Sequence, residues 1–442
     1  MIRFELDKLS AWKQSATRKP LIIRGARQVG KTWLMKEFAR REYRHSVYIN
    51  FESNDQLKGL FTGDFDIPRI VRGLEISAGL KIGASDTLLI FDEIQEAPAA
   101  LTALKYFQEN APEYHIICAG SLLGVAMNRH TSFPVGKVEF LELYPLSFPE
   151  FVQALGDETL LTVFKNNDWP LIKTFKSRFI ELLKQYYCVG GMPEAVSAYS
   201  EKRDFAEVRN IQKRILTAYE QDFSKHAPNQ IVPRIRMLWN SIPAQLAKES
   251  KKFIYGIIKE GARAKEYELA MSWLIDSGLI TKINRATKPA IPLKAYEDPG
   301  AFKLFLVDLG LLAAMTDLDI KTLLDGNELF EEFKGALTEQ YVLQQLLVQK
   351  DLTIYYWSAD KGRAEVDFLV QFSGQVVPIE VKAEENLKSK SLRVYHEKYS
   401  PQTVIRTSMS DFRREDWMTN LPLYAIAQFR SVIHLTPGET NG

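Results

Sequence analysis

Short apolar runs recur through the first 150 residues, at 21–23, 47–51, 88–91, 116–119 and 138–143. Helix-length segments such as 32–43 and 99–110 lie between several of them. Apolar strands alternating with helices predict a parallel sheet with helices on both faces. From about 151 to 230 the pattern turns helical. It is broken at Gly190-Gly191-Met192-Pro193, where two glycines and a proline end one helix and set a tight turn. Further along, Tyr267, Ala270, Met271, Leu274 and Ile275 fall at i, i+3, i+4, i+7 and i+8, one face of a helix that Gly278 is placed to end. The run 279–283 then reads as a strand, and helices followed by a strand at this size suggest a winged-helix unit. Beyond 302 the chain reads as a helix, several strands and mixed structure to about 410, with no internal repeat.

Composition narrows the class without naming a function. At 442 residues, 46% hydrophobic and 25% charged, the chain has the make-up of an ordinary globular protein of several domains. A formal net charge of +2 is near neutral, so any nucleic-acid surface must be local. Cys118 and Cys188 sit in apolar contexts without metal-ligand spacing, which points to core residues and a reducing compartment. The N-terminal stretch lacks the apolar centre of a signal peptide. The richest apolar run, 304–315, is too short for a span and contains Asp308, so it reads as core. The expectation is a cytoplasmic protein with no membrane partner.

The strongest motif is Gly25-Ala26-Arg27-Gln28-Val29-Gly30-Lys31-Thr32, a match to GxxxxGK[ST] between a strand and a helix. The glycines let backbone N–H groups converge on phosphate oxygens, and the helix adds its positive dipole end. In this pattern Lys31 reaches the β- and γ-phosphates and the Thr32 hydroxyl ligates Mg²⁺. The second half of such a site is an apolar strand ending in Asp92-Glu93. It would deliver Asp92 to support the metal and Glu93 to polarise the attacking water. A further strand ends in Gly120-Ser121. Ser121 is either a sensor of the γ-phosphate, and so part of the catalytic set with Glu93 and Lys31, or a plain turn serine.

Four stretches together resemble a large family of bacterial and archaeal AAA-type ATPases joined to a C-terminal domain of unknown function: IIRGARQVGKTWL, LLIFDEIQ, LELYPLSFPEF and GGMPEAV. The resemblance covers nearly the whole chain. It implies ATP as the nucleotide, in keeping with the lack of a guanine-reading NKxD motif, with Mg²⁺ as cofactor. One departure stands out. Relatives usually carry a Gly-Arg pair where this chain has Gly136-Lys137. A lysine lacks the bidentate fork of an arginine finger, and Arg129 is the substitute candidate, against a solvated loop arginine. Intrinsic turnover is therefore expected to be slow, with the nucleotide acting as a conformational switch.

A second constellation lies further on. Glu339 falls on the apolar stripe of a helix over 334–348 with Val342, Leu343 and Leu346, where a lone charge is costly, so it needs a cation or a metal. In the strand 365–371, alternation places Val366, Phe368 and Val370 on one face and Asp367 on the other. In the next strand, 375–382, Glu380 and Lys382 oppose Val377, Ile379 and Val381. Helix Glu, strand Asp and Glu-x-Lys resemble the PD-(D/E)xK nuclease core. That resemblance implies metal ligands at Asp367 and Glu380, an auxiliary ligand at Glu339 and a catalytic lysine at Lys382. The alternative is a hairpin whose polar face forms salt bridges. Lys251, Lys252, Arg263 and Lys265 in the winged-helix-like segment are either DNA phosphate contacts or a solvated face.

The expected architecture is α/β: a P-loop NTPase parallel sheet at 1–150, a helical lid at 151–230, a winged-helix segment at 231–300 and a restriction-nuclease-like α/β domain at 301–435. The expected activity is ATP hydrolysis coupled to action on nucleic acid, DNA or RNA, with a homo-oligomer among the partners. The rival expectation is an ATP-gated signalling or scaffold switch whose C-terminal domain binds a protein and cuts nothing.

Overall fold

The computed structural model of the chain describes residues 2–121, 123–124, 133–248, 251–325, 331–359, 364–385 and 389–433. The fold is mixed α/β in two compact units, one built from Ile2–Tyr144 with Trp273–Leu279 and the other from Pro145–Ser272 with Ile280–Gly442. Among the described residues no helix is long and apolar enough to cross a membrane. Cys118 and Cys188 are buried, free thiols.

The first unit is built on five strands, β1 (Leu21–Arg24), β2 (His45–Asn50), β3 (Thr87–Asp92), β4 (His115–Ala119) and β5 (Glu139–Glu142). They run in the order β2-β3-β4-β1-β5, and every neighbouring pair is parallel. β3 and β4 are buried at every position. A strand covered on both faces needs apolar side chains on both, which is why these segments read as continuous runs and not as alternation. One face packs the helices Ile67–Ala78 and Pro98–Asn110 into a cluster with Ile22, Leu89, Phe91, Ile116 and Cys118. Helix Lys31–Glu42 lies against β2, β3 and β4 and buries Leu34, Met35 and Phe38 outside that cluster, on the other face. Because β4 is inserted between β1 and β3, the C-terminal ends of all three strands are adjacent. The 25–32 loop, Asp92-Glu93 and Gly120-Ser121 thus meet at one edge of the sheet, where open α/β sheets bind ligands.

The second unit opens with six helices between Phe148 and His226. Helix Phe148–Ala154 begins with a capping box in which Ser147 and Glu150 satisfy each other's backbone neighbours. Its sheet has eight strands: β6 (Ile280–Ala286), β7 (Glu297–Leu306), β8 (Thr353–Ser358), β9 (Glu365–Phe372), β10 (Gln375–Val381), β11 (Ile405–Ser408), β12 (Arg413–Arg414) and β13 (Thr419–Pro422). Their order is β12-β13-β11-β10-β9-β8-β6-β7. The 231–300 segment contains helices Val232–Leu246, Tyr255–Ile258 and Ala264–Asp276, then the antiparallel hairpin β6/β7. Along Ala264–Asp276 the expected stripe is buried at Tyr267, Ala270, Met271 and Leu274, and Gly278 takes a left-handed φ of 73° beyond its end. The hairpin does not stand apart from the strands that follow: β6 pairs with β8 at Arg285 and Tyr356, and Arg285 donates to the Ser358 carbonyl at 3.0 Å. The sheet therefore runs through the expected boundary at 300.

Polar side chains buried in this unit act as backbone brackets. Gly190 adopts φ 71°, ψ −163°, a conformation open essentially to glycine. A Cβ there would lie 2.3 Å from Asp308 Oδ1, and one on Gly191 would lie 2.2 Å from the Leu146 carbonyl oxygen. Gly190 thus lets the Asp308 carboxylate come close enough to accept from Gly191 N–H at 2.6 Å, while it also caps helix Leu309–Met315 through Leu311 N–H at 3.0 Å. Gln344 donates to Asp308 at 3.1 Å and to the Tyr186 hydroxyl at 2.9 Å, and accepts from Leu309 N–H. Gln340 exchanges two bonds with the backbone of Leu306, and Gln345 accepts from Phe148 N–H at 2.7 Å. These contacts explain the GGMP and LSFPEF stretches as structural. Replacing Asp308 by alanine strands buried N–H groups of two elements and removes a cap, so Asp308→Ala is expected to cost about 2–4 kcal/mol in denaturant unfolding. A loss below about 0.5 kcal/mol would contradict that role.

Candidate functional site

The 25–32 loop has the backbone of an anion cradle. Gly25, Gln28 and Gly30 take φ of 148°, 67° and 94°, and helix Lys31–Glu42 starts directly after Gly30. A Cβ on Gly25 would lie 2.1 Å from the Leu143 carbonyl oxygen, so glycine is required there. Ala26 and Val29 are buried, while Arg27 is half-buried beside the loop and Gln28 exposed. Lys31 is buried and donates to the carbonyls of Gly25 at 2.9 Å and Ala26 at 2.8 Å. Burial pushes its ammonium down to about 8, against the opposing pull of Glu93 and Asp92.

The carboxylates of the β3 end lie where the sequence pattern places them. Thr32 Oγ1 donates to Asp92 Oδ2 at 2.6 Å, which joins a hydroxyl and a buried carboxylate in one potential metal-binding pair. Glu93 sits at a left-handed φ of 50°, an uncommon conformation for glutamate that turns the chain off the strand end. Its Oε2 accepts from Gln95 Nε2 at 2.6 Å and from Ser121 Oγ at 3.2 Å. Lys31, Thr32, Asp92, Glu93 and Ser121 are thus brought together at one sheet edge. This donor set suits a triphosphate with a hard divalent cation: a buried ammonium, positive-φ glycines, a helix N-terminus and a hydroxyl–carboxylate pair.

Two residues of this edge escaped the sequence pattern. The Tyr48 hydroxyl, at the end of β2, donates to Asp92 Oδ2 at 2.9 Å, and Lys36 Nζ lies 3.9 Å from the centroid of its ring. Burial first, and then Asp92, push the Tyr48 phenol pKa up. Gln95 orients Glu93. Strand neighbours set by topology carry no sequence signal, although the DEIQ run did contain Gln95. Lys137, at the arginine-finger position, forms an ion pair with Glu109 at 2.9 Å within the same unit. Arg129 lies outside the described residues.

The second constellation also converges, but around lysines. Glu339, on helix Glu331–Leu347, pairs with Lys251 and, at 3.4 Å, with Lys303. Lys303 Nζ also lies 2.6 Å from Glu365 Oε1 and 4.0 Å from Asp367 Oδ1, and Lys382 pairs with Glu380 at 2.7 Å. Asp367 Oδ2 accepts from Val381 N–H at 2.7 Å. Burial pushes the Glu339 carboxyl up, but Lys303 and Lys251 together outweigh it and hold the group down at about 2. Burial, reinforced by Glu339 and Glu380, pushes Asp367 well above the usual carboxylate range. Among the described residues no group of three or more His, Cys, Asp or Glu is arranged to hold a metal ion.

Two expectations are corrected here. Lys251 is buried against Glu339 and is not a solvated phosphate contact, whereas Lys252, Arg263 and Lys265 are exposed. Val366 does not share one face with Phe368 in simple alternation. It joins the cluster of Leu369 and Trp357, because the pairing with β8 slips between Tyr355 and Trp357 and inserts one extra residue at 367–368. Glu380 is buried, and helix Glu331–Leu347 packs on β10.

Residues 17–152 match the family model described as an AAA domain, while 180–322 and 334–426 match two domains of unknown function, DUF8612 and DUF4143. No curated protein matches the chain. A Walker-type ATPase of Pyrococcus abyssi is similar in structure at 15% identity and TM-score 0.45, covering 71% of this chain and 94% of that one. The Orc1 protein of Aeropyrum pernix in complex with DNA gives 12% identity and TM-score 0.28, covering 72% and 93%. Drosophila ORC bound to DNA gives 13% and 0.28, covering 71% and 93%. These structural likenesses are too loose to transfer a function. The AAA match and the geometry of the 25–32 loop support an AAA-type P-loop module in the first unit.

Two outcomes test this geometry. Tyr48→Phe removes one hydrogen bond to Asp92 and is expected to raise the Mg²⁺ concentration for half-maximal nucleotide hydrolysis about fivefold, the equivalent of about 1 kcal/mol; an unchanged Mg²⁺ requirement contradicts it. Lys31 carries its charge below about 8 and loses it above, so triphosphate affinity is expected to weaken as pH rises from 7 to 9.5. Titrations with a fluorescent nucleotide would read this, and a flat profile would sink the assignment.

Proposed function

We propose that this chain is an ATP hydrolase in which Mg²⁺–ATP is held at the 25–32 loop and Glu93 serves as the general base. The observation that carries this reading is the meeting of Lys31, Thr32, Asp92, Glu93 and Ser121 at the adjoining ends of β1, β3 and β4. Backbone N–H groups of residues 25–32 and the Lys31 ammonium would hold the phosphates, with Thr32 and Asp92 supporting the metal. Bound Mg²⁺ supplies charge neutralisation on the phosphoryl oxygens. Gln95 and Ser121 hold the Glu93 carboxylate in place, so it accepts the proton of a water from a fixed position. Ser121, next to that carboxylate, is the candidate sensor of the terminal phosphate. Lys137 is engaged with Glu109, which supports slow intrinsic turnover and a switch-like use of the nucleotide.

The cycle, in this proposal, is coupled through the second unit to nucleic acid, in a homo-oligomer. The helices and hairpin of 231–306 and the helix–hairpin constellation of 331–382 support it as resemblances to a winged helix and a nuclease core. A second reading, a switch whose second unit binds a protein and cuts nothing, is favoured by one observation: lysines already neutralise the acidic cluster.

Lys31→Ala is expected to abolish nucleotide binding. Glu93→Gln should keep binding and slow hydrolysis about 10²- to 10⁴-fold; unchanged turnover would remove Glu93 as the base. Hydrolysis measured with and without single- and double-stranded DNA and RNA tests the coupling, and no stimulation or retardation at low salt favours the protein-docking reading.

A further inference from the structure

Lys303 is fully buried, at 0% exposure, yet its position on β7 carries no sequence signal of a charged role. Its ammonium is ringed by Glu365 at 2.6 Å, Glu339 at 3.4 Å and Asp367 at 4.0 Å, with the Tyr356 ring centroid 5.0 Å away. Lys251 brings a second buried ammonium to Glu339. Both lysines come from outside the helix–hairpin constellation that holds Glu339, Asp367, Glu380 and Lys382. They enter from the stretch after helix Val232–Leu246 and from the β6/β7 hairpin.

We propose that Lys303 and Lys251 are built-in counter-cations to Glu339, Glu365 and Asp367 that stand in for a divalent metal, making this constellation a metal-free, non-cleaving counterpart of the nuclease core that its sequence resembles. Carboxylates gathered out of water must be neutralised, either by a bound ion or by side chains. A divalent ion supplies two positive charges at oxygen distances of about 2.0–2.6 Å. Here two tethered ammoniums supply the same two charges. A divalent ion entering among these carboxylates would have to lie beside an ammonium that is already their partner, and like charges at that range repel. Lys382 is paired with Glu380 at 2.7 Å. The β-bulge at 367–368 breaks simple alternation at Asp367, whose Oδ1 lies 4.0 Å from Lys303 Nζ, and the carboxylates here are arranged around ammoniums and not around a metal position. Glu380 Oε2 is buried without a hydrogen-bond partner in the described structure, while its Oε1 pairs with Lys382.

The test is Mn²⁺ binding to the full-length, nucleotide-free protein, read by electron paramagnetic resonance of free Mn²⁺ and by thermal shift. Wild type is expected to show no site tighter than millimolar and no Mn²⁺-dependent rise in Tm. Lys303→Gln keeps the side-chain length and removes the charge. It is expected to gain one Mn²⁺ site, bound at least about tenfold more tightly than in wild type, to rise in Tm with Mn²⁺, and to lose both effects on adding Asp367→Asn. A wild-type site that Asp367→Asn abolishes would overturn the proposal, as would a folded Lys303→Gln protein that binds no Mn²⁺. If Lys303→Gln does not fold, Lys251→Gln takes its place with the same expectation, and the wild-type measurement stands on its own. DNA or RNA cleavage by wild type in Mg²⁺ or Mn²⁺ that Lys382→Ala removes would overturn it as well.

Discussion

A charge withdrawn from water is tolerated only beside a partner, and the chemistry of both units follows from how that constraint is met. In the first unit Lys31 is buried at the head of a helix and leans on the carbonyls of Gly25 and Ala26, with Asp92 and Glu93 close enough to oppose the loss of its proton. Asp92 is buried too, and it is satisfied by two hydroxyls, Thr32 and Tyr48. The arrangement is tense by design: an ammonium and carboxylates share one sheet edge, and a polyanion with a cation would complete it. Strain at Glu93, with its left-handed backbone, belongs to the same edge.

In the second unit the same constraint leads to a different outcome. Glu339, Glu365 and Asp367 lie around Lys303, Lys251 joins Glu339, and Lys382 pairs with Glu380. The ion pairs are internal, so nothing from solution is needed to hold this part of the sheet together. Removing either sign alone would leave an uncompensated buried charge, which costs far more than the pair itself contributes. Asp308 shows the third way of meeting the constraint: a buried carboxyl surrounded by N–H groups of Gly191 and Leu311 and by the Gln344 amide. Gly190 is required beside it because any side chain there would meet this carboxylate.

Much of the nucleotide edge was legible beforehand because its elements are local. A strand, a glycine loop and a helix N-terminus are consecutive in the chain, and β3 and β4 appeared as continuous apolar runs because both of their faces are covered. The helical region up to 226 was legible for the same reason. The expected domain division was harder to read. The sheet of the second unit takes in the β6/β7 hairpin, so a boundary at 300 divides strands that pair in space. Simple alternation in β9 also failed, because a bulge depends on the partner strand and not on the strand's own sequence.

By itself, the sequence determined the motifs whose chemistry is written in consecutive residues: the 25–32 loop, the Asp92-Glu93 strand end, and the need of Glu339 for a cation. What only the tertiary structure decided is which cation that is. Lys303 lies 36 residues from Glu339 along the chain, and Lys251 lies 88 away. No local pattern ties either of them to it. The same holds for Tyr48 and Asp92, which meet because β2 and β3 are neighbours in the sheet. Periodicity reports which face a residue occupies, whereas the identity of a buried charge's partner depends on which strands the fold brings side by side.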